Sequence, residues 1–548
     1  METLLISNVQ NNLRRWLAMA ALACMWSNAQ VPLYMFAGAP IHIYSSLHGA
    51  ANWVWFVSAN LLATAAIAPF VGALSDLFGR RYAALMGSML VIIGQAVCGT
   101  AKEMWVFILG MAISGTGTGI NELTALAGTA ELVPVKQRGY YVAGLIITML
   151  PFIPSVLYAQ LIASTSSEGW RSISYVTGGW AFIGLIMTFC FYHPPPPRRA
   201  RVANGGAAGE QEQGDRRNKR EILGDMDFIG GVLSMLGLVA VEVGLLAGGY
   251  QSAQVLGPLI LGILALALFG FWEWRWAGKP MIPRDMGKHP WTLGLTFIIT
   301  FISGANFFSV LMLWPSQAYN VYGHDPVGVG IRGMPFAFGI LGGCVISLFL
   351  LSWFRGNIKW ILFGSSVLMT AGCGSLAAAR LDNIKSVYAI LLFAGLGVGG
   401  IVVPASMITT IICPSEVIAT VTALTIAVRI VGGAIGYTIY YNVFVAKLVP
   451  LLTEIVGGAC VQAGIHDVKI IGEIIGLTGE SLLNEIRYLP GVNEKAWGEI
   501  VAAGQVAYSM AYPWVYYCSL VFGGVAVLSS FFLGDLSDVM NDTVAVVI

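Results

Sequence analysis

Four charged side chains lie inside apolar stretches that are long enough to cross a bilayer: Glu122, Glu242, Arg332 and Arg429. A charge near mid-membrane costs roughly 2.5 to 3.5 kcal/mol on insertion scales, so a retained one usually faces the protein interior or a water-filled path. A carboxyl group there can take up and release a proton, and a guanidinium can bind oxygen atoms. These residue types indicate binding of protons or polar solutes within a membrane.

Glu122 lies beside Asn121 in the inner part of the fourth apolar stretch. If it faces a central cavity, it would take up a proton as the helices open and release it as they close. The alternative is a carboxylate near the cytoplasmic interface that is hydrogen-bonded to neighbouring helix groups. Both interpretations stay open at this point.

Arg429 lies near the middle of the thirteenth stretch, one to two turns before Gly432, Gly433 and Gly436. Small residues allow a neighbouring helix to approach closely. The arginine would bind polar oxygens of a substrate or pair with an acid across the cavity, and the structural alternative is an ion pair locked by packing. For Arg332, at the outer end of its stretch, an outer gate and a snorkelling anchor are equally open. For Glu242 the sequence favours a structural role, remote from the main helix bundles.

The elements that position these residues are helices in a membrane. Of 548 residues, 57% are apolar and 10% charged, and mean hydropathy is +0.76, whereas roughly a quarter of residues are charged in a soluble domain. We therefore predict an all-α, polytopic protein with fourteen transmembrane helices. They begin near Arg15, Trp53, Tyr82, Met104, Gly139, Ser172, Asp227, Val255, Trp291, Gly330, Ile358, Ser386, Ile418 and Ala511.

The basic residues predict the orientation of these spans. Nineteen of them fall in the loops on one side and four in the short loops on the other. Positive residues are held on the cytoplasmic side, so both termini are predicted to be cytoplasmic. The expected location is the plasma membrane, with the vacuolar membrane as an alternative. Tryptophans near span ends are predicted to form an interfacial belt: Trp53, Trp55, Trp105, Trp170, Trp272, Trp274, Trp276 and Trp314.

Changes in composition divide the chain into four parts. Residues 1–192 are predicted to form a six-helix bundle, and 193–226, which lack an apolar period, a solvated cytoplasmic linker. Residues 227–290 form an inserted helix pair with its loop. Residues 291–548 form a second six-helix bundle, whose long outer segment 447–510 is predicted to be a cap with short amphipathic stretches such as 481–489.

A charged turn between the second and third spans carries the pattern G-x-L-x-D-x-x-G-R-R, with Gly72, Leu74, Asp76, Gly79, Arg80 and Arg81 at its fixed positions. It resembles the signature loop of the major facilitator superfamily of secondary transporters. That resemblance implies two six-helix bundles that rock around a central cavity. It also implies that Asp76 and Arg81 form a charge-dipole latch between the halves, in which Asp76 would face the N-terminal end of a second-half helix. We refer to residues 72–81 as the signature loop.

Fourteen spans with this loop are similar to the fourteen-span drug:proton antiporter branch. Four local runs look like fungal trichothecene efflux pumps and their relatives, the fungal siderophore-iron transporters: residues 52–55, 119–127, 328–335 and 428–436. Two features depart from the pattern of many antiporters. Met111 occupies the place of an arginine in the fourth span, and the fifth span has Pro151 and Pro154 in place of a glycine-rich run ending in Gly-Pro.

The leading hypothesis is therefore a secondary transporter, not an enzyme, that exports a hydrophobic oxygenated natural product of the trichothecene type by proton-coupled alternating access. The first alternative is a symporter that takes up ferric siderophores with protons, and the second is a membrane receptor or scaffold that transports nothing. The partners predicted are a small-molecule substrate, protons and the lipid bilayer. No nucleic acid, obligatory protein partner, cofactor or metal is predicted, since no phosphate-binding G-x-x-x-x-G-K-[ST] or H-E-x-x-H motif occurs.

Overall fold

The computed structural model of the chain describes residues 2–132, 138–194, 227–246, 253–278, 290–354, 357–412 and 418–534. Regular structure in these ranges is helical. The helices are α1 (Glu2–Gly38), α2 (Pro40–Leu47), α3 (Val54–Ile67), α4 (Val71–Phe78), α5 (Arg80–Thr100), α6 (Met104–Leu132), α7 (Arg138–Ile147), α8 (Ser155–Thr165), α9 (Arg171–Phe191), α10 (Phe228–Leu246), α11 (Ala253–Arg275), α12 (Pro290–Tyr322), α13 (Pro326–Trp353), α14 (Ile358–Ser375), α15 (Ile384–Ile412), α16 (Ile418–Leu451), α17 (Gly457–Gln462), α18 (Val468–Gly479) and α19 (Glu494–Phe531). Shorter 3-10 turns are Ala50–Asn52, Ala68–Phe70, Leu150–Phe152, Leu376–Ala378 and Glu485–Tyr488, and Leu452–Val456 is a π-helix.

Within the described ranges, twelve spans are long and apolar enough to cross a membrane, and they correspond to the twelve spans predicted from Tyr82 onward. The first two predicted spans coincide with α1 and with the shorter apolar helix Val54–Phe70. The total of fourteen therefore stays a prediction. Nearly all of the predicted linker, from residue 195 to 226, lies outside the described residues.

Two helix bundles and a helix pair make up the body. In the first half α5 packs on α6 and α9, and α3 packs on α6. The glycine-rich face of α6 permits this approach. As a result, Asn60 of α3 donates to the Met111 carbonyl at 3.0 Å, and Thr64 donates to the Gly115 carbonyl at 2.8 Å. In the second half α13 packs on α15, and α12 on α16 and α19. The halves meet where α3 packs on α16 and α8 on α13.

One end of the bundle carries a folded cap, and we call it the capped end. Helix α16 has 34 residues, about 51 Å at 1.5 Å per residue, so it extends beyond a hydrocarbon core of roughly 30 Å. Helix α19 begins at Glu494, whereas its span was predicted to begin near Ala511. The Tyr44 hydroxyl, from the first half, donates to the Glu480 carbonyl of the cap at 2.7 Å. The signature loop lies at the opposite end, called the loop end.

The cap is helical where the sequence predicted short amphipathic stretches. The amphipathic helix is α18, whereas the predicted stretch 481–489 holds only the 3-10 turn Glu485–Tyr488. The side chain of Asp467 caps α18 by accepting from the Lys469 amide, and Asn493 caps α19 in the same way. The cap thus begins and ends its helices with ordinary capping residues.

The prediction of an interfacial tryptophan belt holds for some of the tryptophans and is wrong for others. Trp105, Trp274 and Trp276 are more than 60% exposed, as a belt requires, whereas Trp53 and Trp314 are buried. The ring of Trp53 packs edge-on against Tyr441 of α16 with centroids 5.7 Å apart. A tryptophan at a span end can face either lipid or the other half of the protein. Its position along the chain does not distinguish the two.

The inserted helix pair is α10 and α11. Helix α11 is largely exposed, but α10 packs against α16 and also contacts α3. The prediction that Glu242 lies remote from both bundles was therefore wrong, because its side chain reaches α16. The place of an inserted helix pair in the sequence does not predict which surface of the bundles the pair packs against.

Candidate functional site

A buried ion pair joins the two halves. Arg429 Nη2 of α16 lies 3.4 Å from Glu122 Oε1 of α6. The Glu122 side chain is 3% exposed and that of Arg429 is 21% exposed. Of the interpretations weighed for Arg429, both pairing with an acid across the cavity and an ion pair locked by packing predict this contact, and binding of substrate oxygens stays a prediction. A pair of this kind resists separation while both groups are charged, since each would be left buried without a partner.

Helix α1 supports the carboxylate of this pair. The Gln30 side chain lies close enough to the Glu122 carboxylate to favour its charged form, and the Tyr34 hydroxyl donates to Gln30 Oε1 at 2.8 Å. The Tyr34 ring in turn packs edge-on against Phe307 of α12, with centroids 6.3 Å apart. Gln30 and Tyr34 were not among the residues predicted from the sequence. The signal that would have found them is a polar amide within the apolar stretch of α1, one turn before a tyrosine.

Close helix packing fixes the position of Arg429. Gly304 of α12 lies against the backbone carbonyl of Arg429, where an added Cβ would clash. Gly432 packs against the Phe301 backbone, and Gly436 packs against Ala305. The glycines after Arg429 therefore do what the sequence predicted, which is to bring a neighbouring helix close. The arginine is placed by a backbone contact that a larger residue at 304 would not permit.

A small cleft beside Arg429 is bounded by α12, α15 and α16. Its lining combines hydroxyl and aliphatic side chains: Thr300, Ser303, Ile401, Val402, Ala405, Ser406, Thr425 and Ile426. The hydroxyls of Thr300 and Thr425 donate to carbonyls of their own helices. The Ser303 hydroxyl is buried and has no hydrogen-bond partner among the residues described. The cleft thus offers one unengaged donor and one guanidinium in an apolar wall.

Two other candidates lie away from this pair. Asn121, although next to Glu122 in the chain, faces α5, where its Oδ1 lies 3.5 Å from the Ser88 hydroxyl. Arg332 lies at the capped end, where it donates to the Gly323 carbonyl at 3.1 Å and pairs with Asp325 at 3.4 Å. Burial lowers the pKa of His324 in the same turn. These contacts tie Arg332 to the turn between α12 and α13, and its role as an outer gate or as an anchor stays a prediction.

The signature loop has the backbone that its glycines require. Gly79 has φ +90° and separates α4 from α5, a conformation that L side chains rarely adopt. Arg81 donates to the Phe189 carbonyl at 2.5 Å, at the C-terminal end of α9 in the same half, where a positive charge is favoured by the helix dipole. The side chain of Asp76 lies outside what the structure describes. The latch therefore stays a prediction, and Arg81 is held within the first half.

Within the described residues, no group of three or more His, Cys, Asp or Glu side chains is placed to hold a metal ion. The chemistry available at the centre is therefore that of Glu122, Arg429 and the hydroxyls beside them. This set can bind a proton at one atom, compensate one charge and donate hydrogen bonds to oxygen.

Residues 16–437 match the Major Facilitator Superfamily, and the chain belongs to this family. It is 25% identical over 488 residues to the MFS-type efflux transporter ffsH of Aspergillus flavipes, which covers 86% of this chain and 79% of that protein. It is 23% identical over 491 residues to the trichothecene efflux pump TRI12 of Fusarium sporotrichioides, covering 86% and 78%.

A crystal structure of a bacterial homologue of the human lysosomal transporter Spinster, inward-facing and unoccupied, is similar with a TM-score of 0.59. It is 13% identical and covers 94% of this chain and 97% of that chain. At that identity the likeness shows the fold alone. The protein is a multi-pass membrane transporter of small molecules and not an enzyme.

Proposed function

We propose that this protein exports a hydrophobic, oxygen-bearing natural product of the trichothecene type in exchange for protons. The observation that carries the proposal is the buried contact between Glu122 of one half and Arg429 of the other. The names of two relatives, an efflux transporter and a trichothecene efflux pump, support the direction and the substrate class.

The pair supplies a physical reason for coupling. In alternating access the two halves rock against each other, so a contact between them is made in one state and broken in another. Breaking it with both groups charged leaves a buried carboxylate uncompensated. A proton on Glu122 removes that charge and favours the separated state, and loss of the proton allows the pair to form again. Each inward proton brings about 2.3 kcal/mol per 100 mV of negative-inside potential.

The lining of the cleft beside Arg429 has the polarity that suits an oxygen-rich, otherwise apolar molecule, but the cleft holds about 10 Å³ here, so it would have to widen to admit a substrate. When Glu122 is protonated, the guanidinium of Arg429 is released from its partner and can donate to substrate oxygens. The unengaged Ser303 hydroxyl adds a second donor from α12. Proton binding and substrate binding would then both act on Arg429, which links the two without direct contact between them.

The same proposal places the protein in the plasma membrane with the loop end and both termini in the cytosol. The excess of basic residues on that side supports it. The sequon at Asn541 tests the topology, because a cytosolic terminus remains free of N-linked glycan. A glycan at Asn541 in secretory-pathway-competent cells would overturn both the orientation and the count of fourteen spans.

The proposal is tested by net accumulation of a labelled trichothecene in a drug-sensitive yeast that lacks its own pumps. Wild type is compared with Glu122→Gln and with Asp325→Asn, a carboxyl-to-amide control outside the central pair, each with and without a protonophore. We expect lower accumulation in wild type and in the control, lost on adding protonophore, and no reduction with Glu122→Gln. Unchanged accumulation in wild type contradicts export of this substrate. Iron-dependent growth rescue by a ferric siderophore would then favour the uptake alternative.

A further inference from the structure

Glu242 is a second buried carboxyl group, and it lies in the inserted helix pair. Its side chain is 0% exposed. Thr438 of α16 donates its hydroxyl to Glu242 Oε2 at 2.6 Å. One turn further on, Asn442 of α16 donates to the Leu245 carbonyl of α10 at 2.5 Å. The carboxyl group is therefore enclosed between α10 and α16, where Thr438 holds one of its oxygens and the Asn442 bond holds α10 against α16 beside it.

The other oxygen of this carboxyl group, Oε1, is buried without a hydrogen-bond partner among the residues that the structure describes. No cation of those residues forms an ion pair with it. Tyr437 of α16 is close enough to interact electrostatically with Glu242, and its hydroxyl also lacks a partner among the described residues. A carboxylate needs several donors or a cation when it is buried, whereas a neutral carboxylic acid does not.

The remaining charged groups on the elements packed around Glu242 lie further away along their helices. Glu273 of α11 and Asp227 both lie beside Gly230, twelve residues or about 18 Å along α10 from Glu242. On α16, Arg429 lies nine residues before Thr438 and Lys447 nine residues after it, a rise of about 14 Å in each direction. The environment of Glu242 is thus apolar apart from Thr438 and Tyr437.

We propose that Glu242 is a second proton-binding site, which holds its proton in this conformation and releases it during the transport cycle. Its role in the cycle rests on the proposed function above. The site lies nearer the capped end and the Glu122 site nearer the loop end, so the two carboxyl groups contact α16 at different depths. The inserted pair then belongs to the proton path and does more than shield the bundle from lipid.

The packing of α10 explains why the site would change during the cycle. Near its beginning, α10 contacts the first half, because Gly231 packs on Phe70 and the rings of Phe228 and Phe70 stack with centroids 6.1 Å apart. Near its end it contacts the second half through Thr438 and Asn442. Since α10 bridges the halves, rocking must loosen one of these contacts. Movement of α16 away from α10 admits water to Glu242, which lowers the cost of its charge.

The proton on Glu242 can be measured without a substrate. Purified full-length protein is titrated while the C=O stretching band of protonated carboxylic acids is recorded by infrared difference spectroscopy. At neutral pH we expect a band that is lost in Glu242→Gln and kept in Glu122→Gln. Thr438→Val removes the hydrogen bond to Oε2, so it should move the same band to higher wavenumber. The second variant decides the question if Glu242→Gln does not fold, as judged by size-exclusion chromatography.

The cycle is tested in proteoliposomes that carry labelled trichothecene. We expect Glu242→Gln to lose export driven by a pH gradient and to keep exchange of label without a gradient. Gradient-driven export equal to that of wild type would overturn the role in the cycle, and an unchanged infrared band in Glu242→Gln and Thr438→Val would overturn the proton site itself. If wild type does not move the trichothecene, the proposed substrate fails while the infrared result still decides the site.

Discussion

Two arginine-carboxylate pairs in this protein have the same Nη2-to-oxygen distance, 3.4 Å, and different surroundings. Arg429 and Glu122 join the two halves, and the carboxylate is 3% exposed. Arg332 and Asp325 lie seven residues apart at the start of α13, within one half, and the carboxylate is 61% exposed. Equal geometry therefore does not imply equal energy. Water screens the second pair, whereas the first depends on its partner for compensation.

The two ion pairs also differ in how they would respond to movement of the halves. A pair between the halves must respond to their movement, and its carboxyl group can bind a proton in place of the arginine. Both members of the Arg332 pair lie in one half, so rocking of the halves does not by itself separate them. Of the two arginines, Arg429 is the one whose carboxylate partner lies in the other half.

The largest effect is expected from Arg429→Gln, which leaves Glu122 buried without its cation. We expect a loss of about 3 kcal/mol in the free energy of unfolding, measured by detergent titration of the purified protein, and loss of export. The double variant Arg429→Gln with Glu122→Gln removes both charges and should recover most of the stability but not the proton-coupled export. A double variant as unstable as the single one would show that the two charges are not coupled.

The signature loop extends the comparison to a third carboxyl group, Asp76. If it forms a latch with the second half, Asp76→Asn inserts normally into the membrane and loses most transport, since the amide carries no charge to face a helix dipole. Asp325→Asn is the matched change at the capped end and should transport normally. Surface expression and trichothecene accumulation are measured together. Normal transport by Asp76→Asn would contradict the latch hypothesis.

The ion pair of Arg429 and Glu122 depends on the position of the arginine as well as on its charge. Gly304→Ala places a methyl group against the Arg429 carbonyl, and overpacking of this kind costs about 1 to 3 kcal/mol. Gly294→Ala is a control on the same helix, because its Cβ would meet nothing within 4 Å. We expect Gly304→Ala to lower the unfolding free energy and transport, and Gly294→Ala to leave both near wild type. Equal effects of the two would mean that helix propensity, not the close contact, is responsible.

The sequence identified the helical membrane fold and both members of the central pair, because a retained charge in an apolar run is informative by itself. It could not choose between pairing and substrate binding for Arg429, since the two partners are 307 residues apart in the chain. It also misplaced Glu242, because hydropathy finds the inserted helices without showing that α10 packs on α16. Partners across a bundle are set by packing, which a single sequence does not reveal.

The smallest effect is expected at the exposed pair, where Asp325 has two roles. It pairs with Arg332, and it caps α13 by accepting from the Gly328 amide at 2.6 Å. Asparagine caps helices about as well as aspartate, so Asp325→Asn removes only the ion pair and should cost less than about 1 kcal/mol in unfolding free energy. Asp325→Ala also removes the cap, which should cost about 1 kcal/mol more.

Detergent titrations give the unfolding free energies of the two Asp325 variants and of Arg429→Gln. Because the two ion pairs have the same distance, a difference between these free energies reports the effect of burial. If Asp325→Asn proves as costly as Arg429→Gln, exposure does not explain the difference between the two pairs, and Arg332 must be regarded again as part of a gate. If the asparagine variant is near wild type and the alanine variant is not, the carboxyl group at the capped end acts as a helix cap.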